Sequence, residues 1–151
     1  MGNTLWALHH YCWALVNIQR ADATLGSPDR QRHLREWAIS DCYYVIRLAP
    51  PDFVLLPEIH LRVGELLAAL DRPAEAVVQF ERSMALKADY WPAYLRLADL
   101  NIGLNRRQAA IDVLNRGLVH MPDEARLIDA LTRLNAKPAA RAAGPATTSP
   151  Q

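Results

Sequence analysis

Residues 9 to 13 read His9-His10-Tyr11-Cys12-Trp13, the most unusual local composition in the chain. His9 and Cys12 are three positions apart, so a helix puts imidazole and thiol on one face. That pair suits zinc, but a closed zinc site takes four ligands and Cys42 is the one obvious third. There is no Cys-x-x-Cys, no His-Glu-x-x-His and no haem-attachment motif. The sequence therefore predicts no metal and no cofactor. Two other readings stay open. In the first, which carries more weight, the run is a core-facing aromatic patch with a helix-buried cysteine. In the second, Cys12 and Cys42 form a disulfide. If the first two helices make an antiparallel hairpin about residue 26, the two cysteines sit at similar heights. A bond then needs a Cα separation below ~7 Å, and it implies an oxidising compartment.

Catalysis finds little else to stand on. His33, His60 and His120 are scattered, and Asp41, Asp112 and Asp129 fall on different predicted helices without a shared motif. No glycine-rich phosphate loop and no nucleophile elbow is present. The expectation is a chain that is not an enzyme.

Seventeen basic and sixteen acidic residues leave a formal charge of +1. Nucleic-acid binding needs a basic footprint, so it is not expected. Hydrophobic residues at 51% and charged residues at 22% suit a soluble globular domain rather than a disordered one. No apolar run is long enough to span a bilayer, and Leu5 to Ile18 is interrupted by His9, His10 and Asn17. No secretory signal is visible, but a helical pattern begins almost at Met1, so a trimmed amino terminus stays open. The expected location is the cytoplasm or the periplasm. The periplasm follows if the disulfide forms or a signal peptide was removed.

Seven helical stretches must position these groups. They run from about Thr4 to Arg20, Arg30 to Leu48, Glu58 to Leu70, Pro73 to Lys87, Pro92 to Leu104, about 107 to His120, and Pro122 or Asp123 to Asn135. Ala21 to Asp29 reads as a loop, and Pro50 with Pro51 closes the second helix. No stretch alternates like a strand. From residue 137 on, Ala, Pro, Gly, Thr and Ser dominate, which predicts a disordered tail over 137–151.

Residues 57–90 fall on 91–124 when shifted by thirty-four. Val63 meets Leu97, Gly64 meets Ala98, Ala76 meets Ala110, Phe80 meets Leu114 and Ser83 meets Gly117. A period of this length marks a stacked-repeat architecture. These residues resemble the tetratricopeptide repeat, a helix–turn–helix unit with small residues at fixed positions on both helices. The first clear unit fills the pattern with His60, Val63, Gly64, Leu67, Ala76, Phe80 and Ser83. The second fills it with Tyr94, Leu97, Ala98, Asn101, Ala110, Leu114, Gly117 and Pro122. His60 and Asn101 stand where a large apolar residue is commoner, which weakens those two contacts. Ala38, Cys42, Val45, Leu48 and Pro50 match the second helix of a degenerate first repeat with a long loop, over 1–56. Ile128, Leu131 and Thr132 match a solitary capping helix at 125–136. The resemblance implies an all-α, right-handed α-solenoid over 1–136.

The resemblance also implies a concave face lined by the first helix of each unit. Glu58, Leu61, Arg62, Glu65, Ala68 and Ala69 would come from one unit, and Pro92, Leu95, Arg96, Asp99, Ile102 and Gly103 from the next. Arg62 and Arg96 are equivalent, as are Glu65 and Asp99, so stacking makes a ladder of guanidinium groups beside carboxylates. Leu61 and Leu95 add an apolar strip. Each Arg is three residues from its own acid and can pair with it alone, worth a few tenths of a kcal/mol. Some chaperone-binding members clamp a terminal carboxylate on this face with basic residues and asparagines. Here Glu65 and Asp99 stand where such members favour asparagine, so that activity is not expected. The function implied is an adaptor that binds a protein or peptide in the groove. Two alternatives are a subunit that self-associates through Trp6, Trp13, Trp37, Tyr43 and Tyr44, and a thiol- or metal-handling protein built on the first hairpin.

Overall fold

Proline sets where four of the helices begin, because its missing N–H is one that a helix leaves unpaired in any case. The computed structural model describes residues 2–136, with side chains from Ala7 onward; the predicted tail and the side chain of Trp6 lie outside the described residues. The helices are α1 (Gly2–Ala23), α2 (Pro28–Leu48), α3 (Leu56–Ala69), α4 (Pro73–Leu86), α5 (Trp91–Gly103), α6 (Arg107–His120) and α7 (Ala125–Asn135). Pro28, Pro57, Pro73 and Pro92 occupy the first two positions of α2 to α5. The last helix starts later than the sequence suggests. Pro122 and Asp123 form a turn, and Glu124 becomes the cap, its carboxylate accepting the Arg126 backbone N–H at 3.3 Å.

The thirty-four-residue period is visible in the backbone itself. Asp71 and Asn105, that distance apart, both adopt φ 58°. Each follows the end of a first helix, where Asp and Asn tolerate the left-handed conformation. At both turns the next N–H reaches back five residues, Arg72 to the Leu67 carbonyl at 2.9 Å and Arg106 to the Asn101 carbonyl at 2.8 Å.

Short turns force antiparallel pairs. α1 pairs with α2, α3 with α4 and α5 with α6, while α7 packs on α6 and α5. One core runs through the stack from Ala7 to Leu127. Its centre is Phe80, 1% exposed, whose burial contributes roughly 1.5–3 kcal/mol. Gly64 makes room for that ring. A Cβ there would lie 2.5 Å from Phe80 Cε1. The small residue on the first helix is thus a notch for an aromatic side chain of the second. Gly117 serves Tyr94 and Leu127 in the same way.

The two departures from the repeat pattern are satisfied by hydrogen bonds. Asn101 is buried, and its side-chain amide donates to the Leu97 carbonyl at 3.0 Å. His60 bonds the Gln79 side-chain oxygen through Nδ1 at 2.8 Å, and Gln79 Nε2 donates to the Tyr43 hydroxyl at 3.2 Å. This relay joins α2, α3 and α4.

The first hairpin departs from expectation. Its buried stripe on α1 is Ala7, Tyr11, Ala14, Asn17 and Ala21, at helical spacing. Positions 12 and 13 fall off that stripe, so Cys12 is exposed and Trp13 is 46% exposed. Trp37 on α2 is 61% exposed. Of the aromatic run, Tyr11 faces the core and Trp13 does not. Cys42 is fully buried, and both thiols are free. The disulfide considered from the sequence is therefore not what the structure contains: one thiol points into the core and the other to solvent. Burial first, then the neighbouring Asp41 carboxylate, pushes the Cys42 thiol up to about 12. His9, Cys12 and Cys42 do not converge, and among the described residues no group of three or more His, Cys, Asp or Glu is placed to hold a metal ion. His10 instead bonds Asp41 at 2.9 Å, with its ring 4.0 Å from that of Tyr44.

Candidate functional site: a groove along the first helices

α1, α3, α5 and α7 line one side of the stack. A cleft of about 250 Å³ between α1 and α3 is bounded by Ile18, Asp22, Arg35, Arg62, Glu65 and Arg96. The next, about 290 Å³, adds Leu61, Tyr90, Trp91, Leu95 and Arg126. A third, about 350 Å³, runs over Leu95, Asp99, Ile102, Ala130, Arg133 and Leu134. Arg62, Glu65 and Arg96 border the first two, and Leu95 borders the last two, so the three make one continuous groove.

A chain of ion pairs forms its floor and wall. Arg62 lies 3.7 Å from Glu58 and 3.1 Å from Glu65. Glu65 accepts from Arg96 Nε at 2.7 Å, and Arg96 lies 3.6 Å from Asp99. The Tyr11 hydroxyl donates to Glu58 at 3.0 Å and ties α1 into the network. Burial, helped by the Glu58 charge, raises the Tyr11 phenol well above its usual range, so it stays protonated as a donor. Burial opposes the Arg62 charge, but Glu65, Tyr11 and Glu58 outweigh it and raise its affinity for the proton. Arg62 Nε is buried without a hydrogen-bond partner.

Of the sequence-predicted residues, Arg62, Glu65, Leu95, Arg96, Asp99 and Ile102 border the groove, and Glu58 contacts it through Arg62. Ile102 is 43% exposed and offers apolar surface. Leu61 is 4% exposed, so it contributes a cleft floor rather than a surface strip. The self-contained Arg–acid pairs are also incomplete as a description, because Glu65 and Arg96 bridge the two units.

Sequence reasoning missed the far wall. Arg126, Ala130 and Arg133 on α7 border the groove. They are one more period beyond Pro92, Arg96 and Asp99, so extending the same shift would have found them. The Arg126 guanidinium stacks 4.3 Å from the Trp91 ring centre, a cation–π contact, and is held by Glu124 at 3.0 Å. The α1 residues carry no such signal, since the long loop breaks the register there.

Residues 67–134 match a family model described as tetratricopeptide repeat. A solved structure of the first tetratricopeptide repeat of Spaghetti (RPAP3) bound to the HSP90 peptide SRMEEVD superposes with a TM-score of 0.54 at 18% identity, covering 82% of this chain and 91% of that one. The crystal structure of MamA protein gives 0.52 at 14% identity, covering 89% and 82%. At these identities the likeness is one of fold. No curated protein matches the sequence. Residues 67–134 are thus similar to the tetratricopeptide repeat, and the thirty-four-residue helical pairs, recurring left-handed turns and small-residue notches are the features that carry the likeness.

Proposed function

We propose that the chain is a non-catalytic adaptor whose groove, along α3, α5 and α7, takes an extended peptide or a helix of a partner protein. The observation that carries this reading is the continuity of the groove. Charged groups from two repeats alternate along it, and Tyr90, Trp91 and Leu95 supply an apolar cleft between them. Rigid helices hold these groups in place, which limits the ordering cost of binding. Arginines grip carboxylates bidentately, but Glu65 and Asp99 already occupy both guanidinium groups. A ligand of mixed charge with apolar anchors suits this surface better than a purely acidic one. The Spaghetti structure, bound to a peptide, is a precedent for a peptide ligand on this fold and not for its sequence.

The test uses a photo-crosslinking residue at Ile102 in the groove, with a control at Val78 on α4, which is 55% exposed. Crosslinking in lysate of the source organism, followed by mass spectrometry, should give discrete adducts from Ile102 that vanish in Arg62→Glu/Arg96→Glu. The same adducts from both positions, or adducts unchanged by the double variant, would remove the idea.

A further inference from the structure

A second surface lies outside the groove, at the open end of the stack. Where α1 ends and α2 begins, a cavity of about 680 Å³ is bordered by Arg20, Thr24, Arg30, His33, Leu34 and Trp37. That size falls within the range of ligand-binding clefts. No acidic side chain borders it. His33 is turned by its bond to the Asp29 carbonyl at 2.8 Å. The Arg20 and Arg30 guanidinium groups have no ion pair or hydrogen bond among the described residues. The nearby arginine Arg35 behaves differently and pairs with Asp22 at 3.9 Å. Trp37, 61% exposed, forms one wall. Trp13, also exposed, sits two helical turns before Arg20 on the same face of α1.

We infer that this end-face cavity docks an acidic peptide segment of a partner protein, an aromatic or branched aliphatic side chain entering against Trp37 and Leu34 while flanking carboxylates pair with Arg20 and Arg30. Charge complementarity selects this occupant. Two unpaired guanidinium groups beside an apolar wall match a carboxylate next to a hydrophobic side chain, and Arg holds such a carboxylate in a planar fork. A second copy of the chain fits less well. A two-fold contact sets the same patch against itself, which would bring the arginines of both copies together. A cavity of about 680 Å³ with Leu34 and Trp37 in its lining is larger and more apolar than a lone small anion needs.

The test is an NMR titration of the full ¹⁵N-labelled chain with the synthetic peptide acetyl-Glu-Glu-Leu-Trp-Glu-Glu-amide. Controls are acetyl-Lys-Lys-Leu-Trp-Lys-Lys-amide and acetyl-Glu-Glu-Ser-Ser-Glu-Glu-amide. The acidic Leu-Trp peptide should shift the Trp37 indole N–H, and both controls should fail to do so. Arg20→Glu/Arg30→Glu should raise its Kd about tenfold or more, and Trp37→Ala should weaken it comparably, while Arg62→Glu/Arg96→Glu should leave it unchanged. Arg20, Arg30, Trp37 and Arg96 are exposed and Arg62 is half-buried, and circular dichroism should show every variant folded. The inference is overturned if the shifts fall on α3 and α5 alone, or if the lysine peptide binds equally. It is also overturned if sedimentation reveals a dimer that Trp37→Ala abolishes, or if phosphatidylglycerol vesicles bind this face and the peptide does not.

Discussion

Glu65 on α3 accepts a 2.7 Å hydrogen bond from Arg96 on α5, joining two repeats across the groove floor. Glu65 simultaneously holds Arg62 of its own helix at 3.1 Å. One carboxylate therefore sets the position of two guanidinium groups. Because Arg96 is half exposed, the pair is screened, and its stabilising effect is small, about 0.2–1 kcal/mol. A double-mutant cycle of Glu65→Gln and Arg96→Gln should give a coupling energy in that range by urea denaturation. Loss of crosslinking from Ile102 in either variant, with stability nearly intact, would separate a recognition role from a structural one.

Gly64 and Gly103 should respond to alanine in opposite directions. A Cβ at Gly64 would meet Phe80 at 2.5 Å, whereas one at Gly103 meets nothing within 4 Å. Gly64→Ala should destabilise by about 1–3 kcal/mol through overpacking. Gly103→Ala should be neutral or stabilise by up to about 1 kcal/mol through helix propensity. Thermal denaturation of both variants checks the contrast. Ala76→Trp and Ala110→Trp, at fully buried positions, should destabilise at least as much as Gly64→Ala.

The cysteines should react in sequence. Iodoacetamide added to the native protein should alkylate Cys12 alone, since Cys42 is buried and its thiol is pushed up to about 12. In urea both should react. The mass after alkylation in urea should be the same with and without prior reductant, and a sample about 116 daltons lighter without reductant, lacking both adducts and two hydrogens, would restore the disulfide.

His60 should make stability depend on pH. Burial, partly offset by its bond to Gln79, lowers its affinity for the proton below the ordinary value of 6.5. The unfolded chain then binds that proton more readily than the folded one, so unfolding is favoured as pH falls through the histidine range. His60→Leu should flatten the difference in unfolding free energy between about pH 7.5 and about pH 5.5. At the higher pH it should cost about 1 kcal/mol, because Gln79 loses its partner. An unchanged pH slope would show that other groups carry it.

The helices and their repeat were decided locally. Prolines at helix starts, the Asp71 and Asn105 turns, and alternating small and large residues at a fixed shift each constrain the backbone or its neighbour within a few turns, so they are readable without coordinates. The identities of Arg62, Glu65, Arg96 and Asp99 were legible for the same reason, since equivalent positions of a repeat share a face. What the tertiary structure alone decided were the relationships between units. It alone bridges Glu65 to Arg96, brings Arg126 onto Trp91, and turns Cys12 away from Cys42. The physical reason is that helical periodicity fixes which side chains share a face, while the distance between faces depends on how neighbouring hairpins stack. A small rotation of α1 about its own axis, set by its alanine stripe, decides whether position 12 or position 11 meets the core.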